Sequence, residues 1–182
     1  MIIANVFPVI ETKNLILRKM TIEDKHDIFQ MRKDSIMHEY TDSKPDESIE
    51  ETETYIDKML NGIAENKWII WAIEHKLSKK VIGTISIWNI DKEKRLAELG
   101  YGVIPVFQGK GLMKEALLGA VDYGFNAMKL KSLDAYTEEN NISSNKLLEN
   151  CKFKIIDKVE DQGYCNDRIY HMLMYRLENT IQ

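Results

Sequence analysis

The chain has 182 residues, of which 44% are hydrophobic and 30% charged, and its formal net charge is −4. This length and composition predict one soluble globular domain over residues 1–182, and the mildly acidic charge argues against a nucleic-acid-binding surface. No apolar run approaches the roughly 20 residues that a membrane helix needs, so we expect no membrane association.

The first predicted elements are a strand and two helices. Residues 15–20, LILRKM, alternate between apolar and polar side chains and predict a strand. Thr21 then offers the N-cap of a helix that runs to about residue 33. The polar stretch 34–48 predicts a loop, and a second helix is predicted over residues 47–60, ending near Asn61 and Gly62.

Three antiparallel strands and a strand–helix–strand unit are predicted next. Residues 68–75, 80–88 and 96–104 are rich in β-branched and aromatic side chains, and the turns LSK and DKEKR separate them. The later elements are a helix at about 110–128, a strand at 130–136, a helix at 141–150 and strands at 153–159 and 168–177. This order predicts a mixed α/β domain of the α+β type, antiparallel in its first half and with a βαβ unit in its second.

The N-terminus and the cysteines favour a cytoplasmic protein. The first ten residues, MIIANVFPVI, are apolar but lack a basic n-region and a small-residue cleavage site, so they make a poor signal peptide. Cys151 and Cys165 do not form a metal-ligand spacing, and we expect both to be free thiols in a reducing compartment. No metal site is therefore predicted.

The segment VIPVFQGKGLMKEA, residues 103–116, joins a predicted strand to a predicted helix through two glycines. A nucleotide P-loop would need Ser or Thr after its lysine, but Lys110 is followed by Gly111. A dinucleotide fingerprint fits no better, because Gly100 and Gly102 lack a third glycine and Pro105 precedes the helix. The remaining anion-binding interpretation is a pyrophosphate turn.

Such a turn would use backbone groups. Glycines let the backbone approach phosphate oxygens, and the helix start adds unpaired N–H groups and a partial positive charge. The candidate residues of the turn are Gln108, Gly109, Lys110, Gly111, Leu112 and Met113. The alternative is a plain glycine-rich connection, and the turn alone does not decide between the two.

Over nearly its whole length the chain resembles the GCN5-related N-acetyltransferases. Gln-x-x-Gly-x-Met at 108–113, after a strand ending in Val-x-Pro, resembles the family's central motif. The chain is most similar to the branch that contains bacterial ribosomal-protein N-terminal acetyltransferases. Four further stretches carry this likeness, in the same order: TKNLILRKMTIEDKHDIFQMRKD, VIGTISIW, AELGYGVIPVFQGKGLMKEAL and NISSNKLLENCKF.

The resemblance implies a fold and a cosubstrate. It implies a twisted, mostly antiparallel sheet of about seven strands with about four helices, splayed between two central strands. Acetyl-CoA would bind with its pyrophosphate on the N–H groups of residues 109–113. Its pantetheine arm would pair near Val103 as an added strand and contact Asn141. Two positions depart from the family pattern: Met113 stands where Gly or Ala is usual, and Lys152 replaces a glycine before Phe153.

The chemistry of acetyl transfer needs a base for the ammonium, a donor for the oxyanion and an acid for the leaving thiolate. Glu98 lies on the strand that would run beside the acetyl group, and it is the candidate base. It could instead be a surface carboxylate paired with a cation. The resemblance implies a backbone N–H near Val103 as the oxyanion donor. Many members of the family protonate the thiolate with a tyrosine, and this chain has Leu148 at the matching position. Ser144, one turn earlier on the same face of the helix, is the candidate acid. Ser144 could equally be a capping or packing residue.

The resemblance therefore implies an acetyl-CoA-dependent N-acetyltransferase that works by direct transfer in a ternary complex. The preferred acceptor is a protein N-terminal α-amine. A small-molecule amine, such as a polyamine, amino acid or antibiotic, is the alternative, and a non-catalytic acetyl-CoA sensor is a third possibility. A homodimer is compatible with the sequence.

Overall fold

Runs rich in β-branched, aromatic and other apolar residues form most strands of an eight-stranded sheet in the computed structural model, which describes residues 6–180. Residues 1–5, half of the segment judged to be a poor signal peptide, lie outside this range. The strands are β1 (Ile10–Glu11), β2 (Leu15–Lys19), β3 (Ile69–His75), β4 (Lys80–Asp91), β5 (Leu96–Val103), β6 (Ser132–Glu138), β7 (Lys154–Gln162) and β8 (Ile169–Glu178). The α-helices are α1 (Lys25–Arg32), α2 (Ile49–Ala64), α3 (Leu112–Asp122) and α4 (Ile142–Asn150).

The sheet has the strand order β1-β2-β3-β4-β5-β6-β8-β7. β5 and β6 run parallel, and α3 connects them, whereas every other neighbouring pair in this order is antiparallel. The predicted α/β class is confirmed, including the antiparallel first half and the βαβ unit. The described sheet has one strand more than the expected seven, because the short β1 pairs with β2. Within residues 6–180, no helix is both long and apolar enough to cross a bilayer.

Each face of the sheet packs against its own pair of helices. Residues 69–73 of β3 are all apolar because both sides of this strand are buried: Trp71 points into one core and Ala72 into the other. The first core contains Leu117 of α3 and Leu148 of α4. The second contains Ile28 of α1 and Ile56 of α2, so α1 and α2 cover the opposite face.

Helix boundaries follow local capping and tertiary packing. Thr21 is the predicted N-cap: its backbone N–H donates to Asp24 Oδ2 at 2.8 Å in a capping box, and a 3₁₀ turn leads into α1. The predicted end of α2 at Asn61 and Gly62 is wrong, because α2 continues to Ala64. Gly62 is needed inside the helix, since a Cβ there would lie 2.0 Å from the Trp68 ring. α3 ends earlier than predicted and continues as a π-helical turn, Tyr123–Ala127.

The two parallel strands separate before they end. Four residue pairs join β5 to β6, from Leu96↔Ser132 to Leu99↔Ala135. Beyond them β5 continues to Val103 and β6 to Glu138 without further pairing to each other. The expected splay between central strands is therefore present. It opens a crevice toward the N-terminus of α3.

Candidate active site

The splay leaves backbone groups on one edge of β5 without a partner strand. Ile104 N–H donates to Ile82 C=O of β4 at 2.9 Å. Because alternate residues of a strand point their N–H and C=O groups to opposite sides, those of Tyr101 and Val103 point into the crevice. The Gln108 side-chain amide donates to Val103 C=O at 3.0 Å. This edge can pair with an extended ligand that carries amides.

The predicted pyrophosphate turn lies at the end of this edge. Gly109 and Gly111 adopt φ angles of +70° and +76°, which favour glycine, and a Cβ on either would meet no atom within 4 Å. Gly111 is the N-cap of α3, so the first N–H groups of this helix have no intrahelical acceptor. The turn thus presents donors beside open space. An anion the size of a phosphate can reach them.

The side chains of the turn have different roles. Leu112 is buried in the core and Met113 packs against it, so both anchor α3 while their N–H groups face the turn. The Lys110 ammonium lies 5.2 Å from the centroid of the Phe107 ring, beside the turn. It adds a positive charge to a site that is already rich in N–H donors.

Two predicted residues of α4 meet at the crevice. Asn141 Oδ1 accepts from the backbone N–H of Ser144 at 3.2 Å and from Ser143 Oγ at 3.1 Å, so Asn141 is the N-cap of α4. No residue of the described range 6–180 accepts a hydrogen bond from the Asn141 amide nitrogen, so this group can donate to a ligand. Ser144 Oγ lies 2.8 Å from Tyr101 Oη, and both residues line the crevice. Leu148 is fully buried in the core.

Tyr101 is the functional candidate that the sequence analysis missed. Burial raises its pKa to about 12, partly offset by the hydrogen bond with Ser144, so its hydroxyl stays protonated at neutral pH. Ser144 lies 43 residues further along the chain. The contact between them depends on the splay and on the position of α4, so no local pattern indicates it. The one local signal is a tyrosine between two glycines.

Glu98 lies apart from this hydroxyl pair. It is three residues from Tyr101 on β5, and an odd spacing places the two side chains on opposite faces. Asn89 Nδ2 donates to Glu98 Oε1 at 2.5 Å. Burial, and to a smaller extent the charge of Asp134, raise the pKa of Glu98. The structure therefore brings together Asn141, Ser144 and Tyr101, whereas Glu98 lies outside the residues that line the crevice.

The loop after α1 forms part of the wall of the crevice, through residues 40–42. The carboxylate of Asp42 accepts hydrogen bonds from the backbone N–H groups of Tyr164 and Cys165, in the turn between β7 and β8. Arg168 Nη1 donates to Glu39 C=O at 2.9 Å. Residues 39–42, after α1, are thereby tied to residues 163–168. We call this contact the bridge.

A second concavity opens on the face covered by α1 and α2. We call it the α1–α2 groove; its volume is about 420 Å³. It is lined by Met31, Arg32, Met37, His38, Ser43, Tyr55, Lys58, Met59, Trp68, Ile70, Thr84, Ser86, Trp88, Gly100, Tyr101 and Gly102. The crevice shares Gly100 and Tyr101 with it, so the two spaces meet at the splay.

Neither cysteine belongs to this site. Cys151 is buried and Cys165 is exposed, and both are free thiols as predicted. Burial raises the pKa of Cys151, which disfavours the thiolate form that a nucleophile needs. Among residues 6–180, no three His, Cys, Asp or Glu side chains are grouped so that they could hold a metal ion.

Comparisons with known proteins agree with this geometry. The family model of the acetyltransferase (GNAT) domain matches residues 14–154. The chain is 32% identical over 171 residues to the uncharacterized N-acetyltransferase YoaA of Bacillus subtilis, covering 94% of this chain and 97% of that protein. It is 25% identical to the spermidine N(1)-acetyltransferase of Vibrio cholerae, over 85% of this chain and 87% of that one.

The fold is also found among solved structures. A structure described as RimL, a ribosomal L7/L12 α-N-protein acetyltransferase in complex with coenzyme A, superposes with a TM-score of 0.84. The match covers 94% of this chain and 98% of that chain at 18% identity. At this identity the likeness establishes a shared fold.

Proposed function

The chain belongs to the GNAT acetyltransferase family, and we propose that it transfers acetyl from acetyl-CoA directly to a protein N-terminal α-amine within a ternary complex. That it is an N-acetyltransferase rests on the family match and on the relatives. The observation that carries the proposal is the splay beside the glycine turn. It supplies an unpaired strand edge for the pantetheine arm and N–H groups for the pyrophosphate.

Binding of acetyl-CoA would use mainly backbone groups. The N–H groups of residues 109–113 would hold the pyrophosphate, with Lys110 adding charge. Val103 and Tyr101 would pair with the pantetheine amides along the free edge of β5. The Asn141 amide nitrogen, left unused by its capping role, would donate to a pantetheine carbonyl. The thioester would then lie where β5 and β6 part.

The hydroxyl pair would protonate the leaving group. As the amine nitrogen bonds to the acetyl carbon, the C–S bond breaks and coenzyme A leaves as a thiolate. Ser144 Oγ would give its proton to that sulfur, and Tyr101 Oη, 2.8 Å away, would return a proton to Ser144. The proton that the attacking nitrogen loses as it becomes an amide would restore the Tyr101 hydroxyl. The raised pKa of Tyr101, to about 12, suits a neutral donor. A backbone N–H near Val103 would stabilise the oxyanion.

Glu98 is the proposed base. An amine acceptor is mostly an ammonium ion at neutral pH and must lose a proton before it can attack. The raised pKa of Glu98 makes its carboxylate a stronger proton acceptor than an ordinary surface glutamate. Because its side chain lies on the face of the sheet that carries the α1–α2 groove, it would act there on the incoming amine, through water.

A small-molecule amine is the second candidate acceptor, since the Vibrio cholerae relative is a spermidine N(1)-acetyltransferase. The experiment is to incubate the protein with acetyl-CoA and one amine at a time, taken from peptides, amino acids and polyamines. The release of free thiol from coenzyme A is followed in each reaction. Mass spectrometry of each product would identify the acetylated nitrogen. Thiol release with an N-terminal α-amine supports the proposal, with the Ser144→Ala variant as the control. Tight binding of acetyl-CoA without thiol release on any amine would instead favour a sensor.

A further inference from the structure

We propose that the α1–α2 groove binds a bulky apolar group on the acceptor, so that this enzyme acetylates amines with a large apolar substituent and no second positive charge. This inference rests on the proposed function, because it concerns the acceptor side of the same site. It goes beyond that function because it names a chemical class of acceptor. Neither a peptide with a small N-terminal residue nor a polyamine belongs to this class.

The position of the groove suits an acceptor. It shares Gly100 and Tyr101 with the crevice, at the point where β5 and β6 part. Gly100 and Gly102 carry no side chains on the groove face of β5, so the strand backbone forms part of its floor. An amine lying in the groove can reach the start of the splay, where the thioester would lie.

The walls of the groove are mostly apolar. Met31, Met37, Met59 and Ile70 line it, together with two tryptophans. Its volume of about 420 Å³ falls within the roughly 300–1,000 Å³ typical of sites for small molecules. Methionine side chains adapt to irregular apolar ligands. These walls favour a large apolar substituent over a hydroxymethyl or methyl group.

Two tryptophans give the groove a fixed wall and an apolar rim. Trp68 Nε1 donates to Met59 C=O at 3.0 Å, and the ring packs against Gly62 of α2. Trp68 is therefore held in one orientation. Trp88 at the rim is 45% exposed, a large apolar surface beside the opening. A ligand that covers it gains burial free energy at little entropic cost.

The charges of the groove disfavour polycations. Arg32 is neutralised by Asp46, through contacts of 2.7 and 2.8 Å. Lys58 has no ion-pair partner among the described residues and leaves the groove with excess positive charge. None of the described residues that line the groove is Asp or Glu. A second ammonium group would therefore be desolvated there without a carboxylate to pair with it.

The test uses acceptors that differ in one property. Hexylamine and 1,6-diaminohexane have the same length but differ in the second charge, and the peptides Met-Ala-Ala and Ser-Ala-Ala differ in the first side chain. We expect kcat/KM for the apolar member of each pair to be at least about tenfold higher. A wild-type ratio near one or below one in either pair overturns the inference, while the proposed function stands.

A charge reversal tests the role of Lys58. Lys58→Glu should reduce the hexylamine to diaminohexane ratio by about tenfold. The matched control is Lys92→Glu, an equal change in the exposed turn between β4 and β5, which should leave the ratio unchanged. An unchanged ratio in Lys58→Glu overturns the electrostatic part of the inference.

A binding measurement separates failure of this inference from failure of the proposed function. If no amine causes release of free thiol from acetyl-CoA, the proposed function fails. Calorimetric titration of the CoA-saturated protein with hexylamine and with 1,6-diaminohexane still tests the groove. Tighter binding of hexylamine supports the inference, and equal or weaker binding overturns it.

Discussion

Replacing Gly111 with alanine tests whether the turn between β5 and α3 binds a diphosphate. Gly111 has a φ of +76° and a ψ of −2°, and an added Cβ would meet no protein atom within 4 Å. The cost to folding is then mainly that of the left-handed backbone, about 1–2 kcal/mol for a non-glycine residue. For a domain of this size, we expect Tm to fall by roughly 2–8 °C.

The loss in ligand binding should be larger. The added methyl group would occupy the space in front of the turn. Any relief of the strained φ would rotate the N–H groups of the turn away from the diphosphate. A hydrogen bond to a charged group contributes about 1.5–3 kcal/mol, so losing one lowers CoA affinity by roughly ten- to a hundredfold. Isothermal titration calorimetry with CoA measures this loss, and thermal unfolding measures the effect on stability.

A truncated donor is the control for Gly111→Ala. S-Acetylpantetheine lacks the diphosphate, so kcat/KM with this donor should be the same in the variant and the wild type. The reasoning is refuted if Gly111→Ala binds CoA as tightly as the wild type. It is also refuted if activity falls equally with both donors, because the defect then does not concern the diphosphate.

Three further substitutions test the chemistry and the fold. Tyr101→Phe should lower kcat about tenfold without changing KM for acetyl-CoA. The loss in kcat should be smaller with an acetyl thioester of a more acidic thiol. An equal loss with both acetyl donors would contradict a role of Tyr101 in protonating the sulfur. Glu98→Gln should lower kcat/KM at neutral pH by about a hundredfold, and this loss should become smaller as the pH approaches the pKa of the amine. Unchanged turnover at every pH would show that Glu98 is not the base. Because the raised pKa of Glu98 means that its ionisation costs stability as pH rises, the same variant should have a higher Tm at neutral pH. Lys152→Gly should raise Tm by a few degrees with unchanged CoA affinity, because Lys152 has a φ of +71°; a lower Tm would show that its side chain stabilises the turn.

Local sequence signals predicted most of the fold. Alternation and β-branched runs identified the longer strands, whereas β1 has two residues, too few for a periodic pattern. The end of α2 was misplaced because Gly62 serves a tertiary contact with Trp68. Lys152 adopts the left-handed conformation of the glycine that it replaces, so the turn before Phe153 forms in spite of that departure.

The local geometry of the candidate site was predictable where its residues are continuous in sequence. The turn at 108–113 and the cap at Asn141 are local motifs, and both are present. The contact between Tyr101 and Ser144, and the bridge from Asp42 to the β7–β8 turn, join segments that are far apart in the chain. Such contacts follow from how α4 and the strands pack, which no short window of sequence specifies.

The short pairing of β5 with β6 has a consequence for the order of events in turnover. The first five strands and the last three meet along a seam of four residue pairs. A pantetheine chain bonded to the free edge of β5 would lengthen that seam and stiffen the floor on which an amine rests. We therefore expect the thioester to enter first and the amine second, with the empty enzyme more open to amide hydrogen exchange along the final strands.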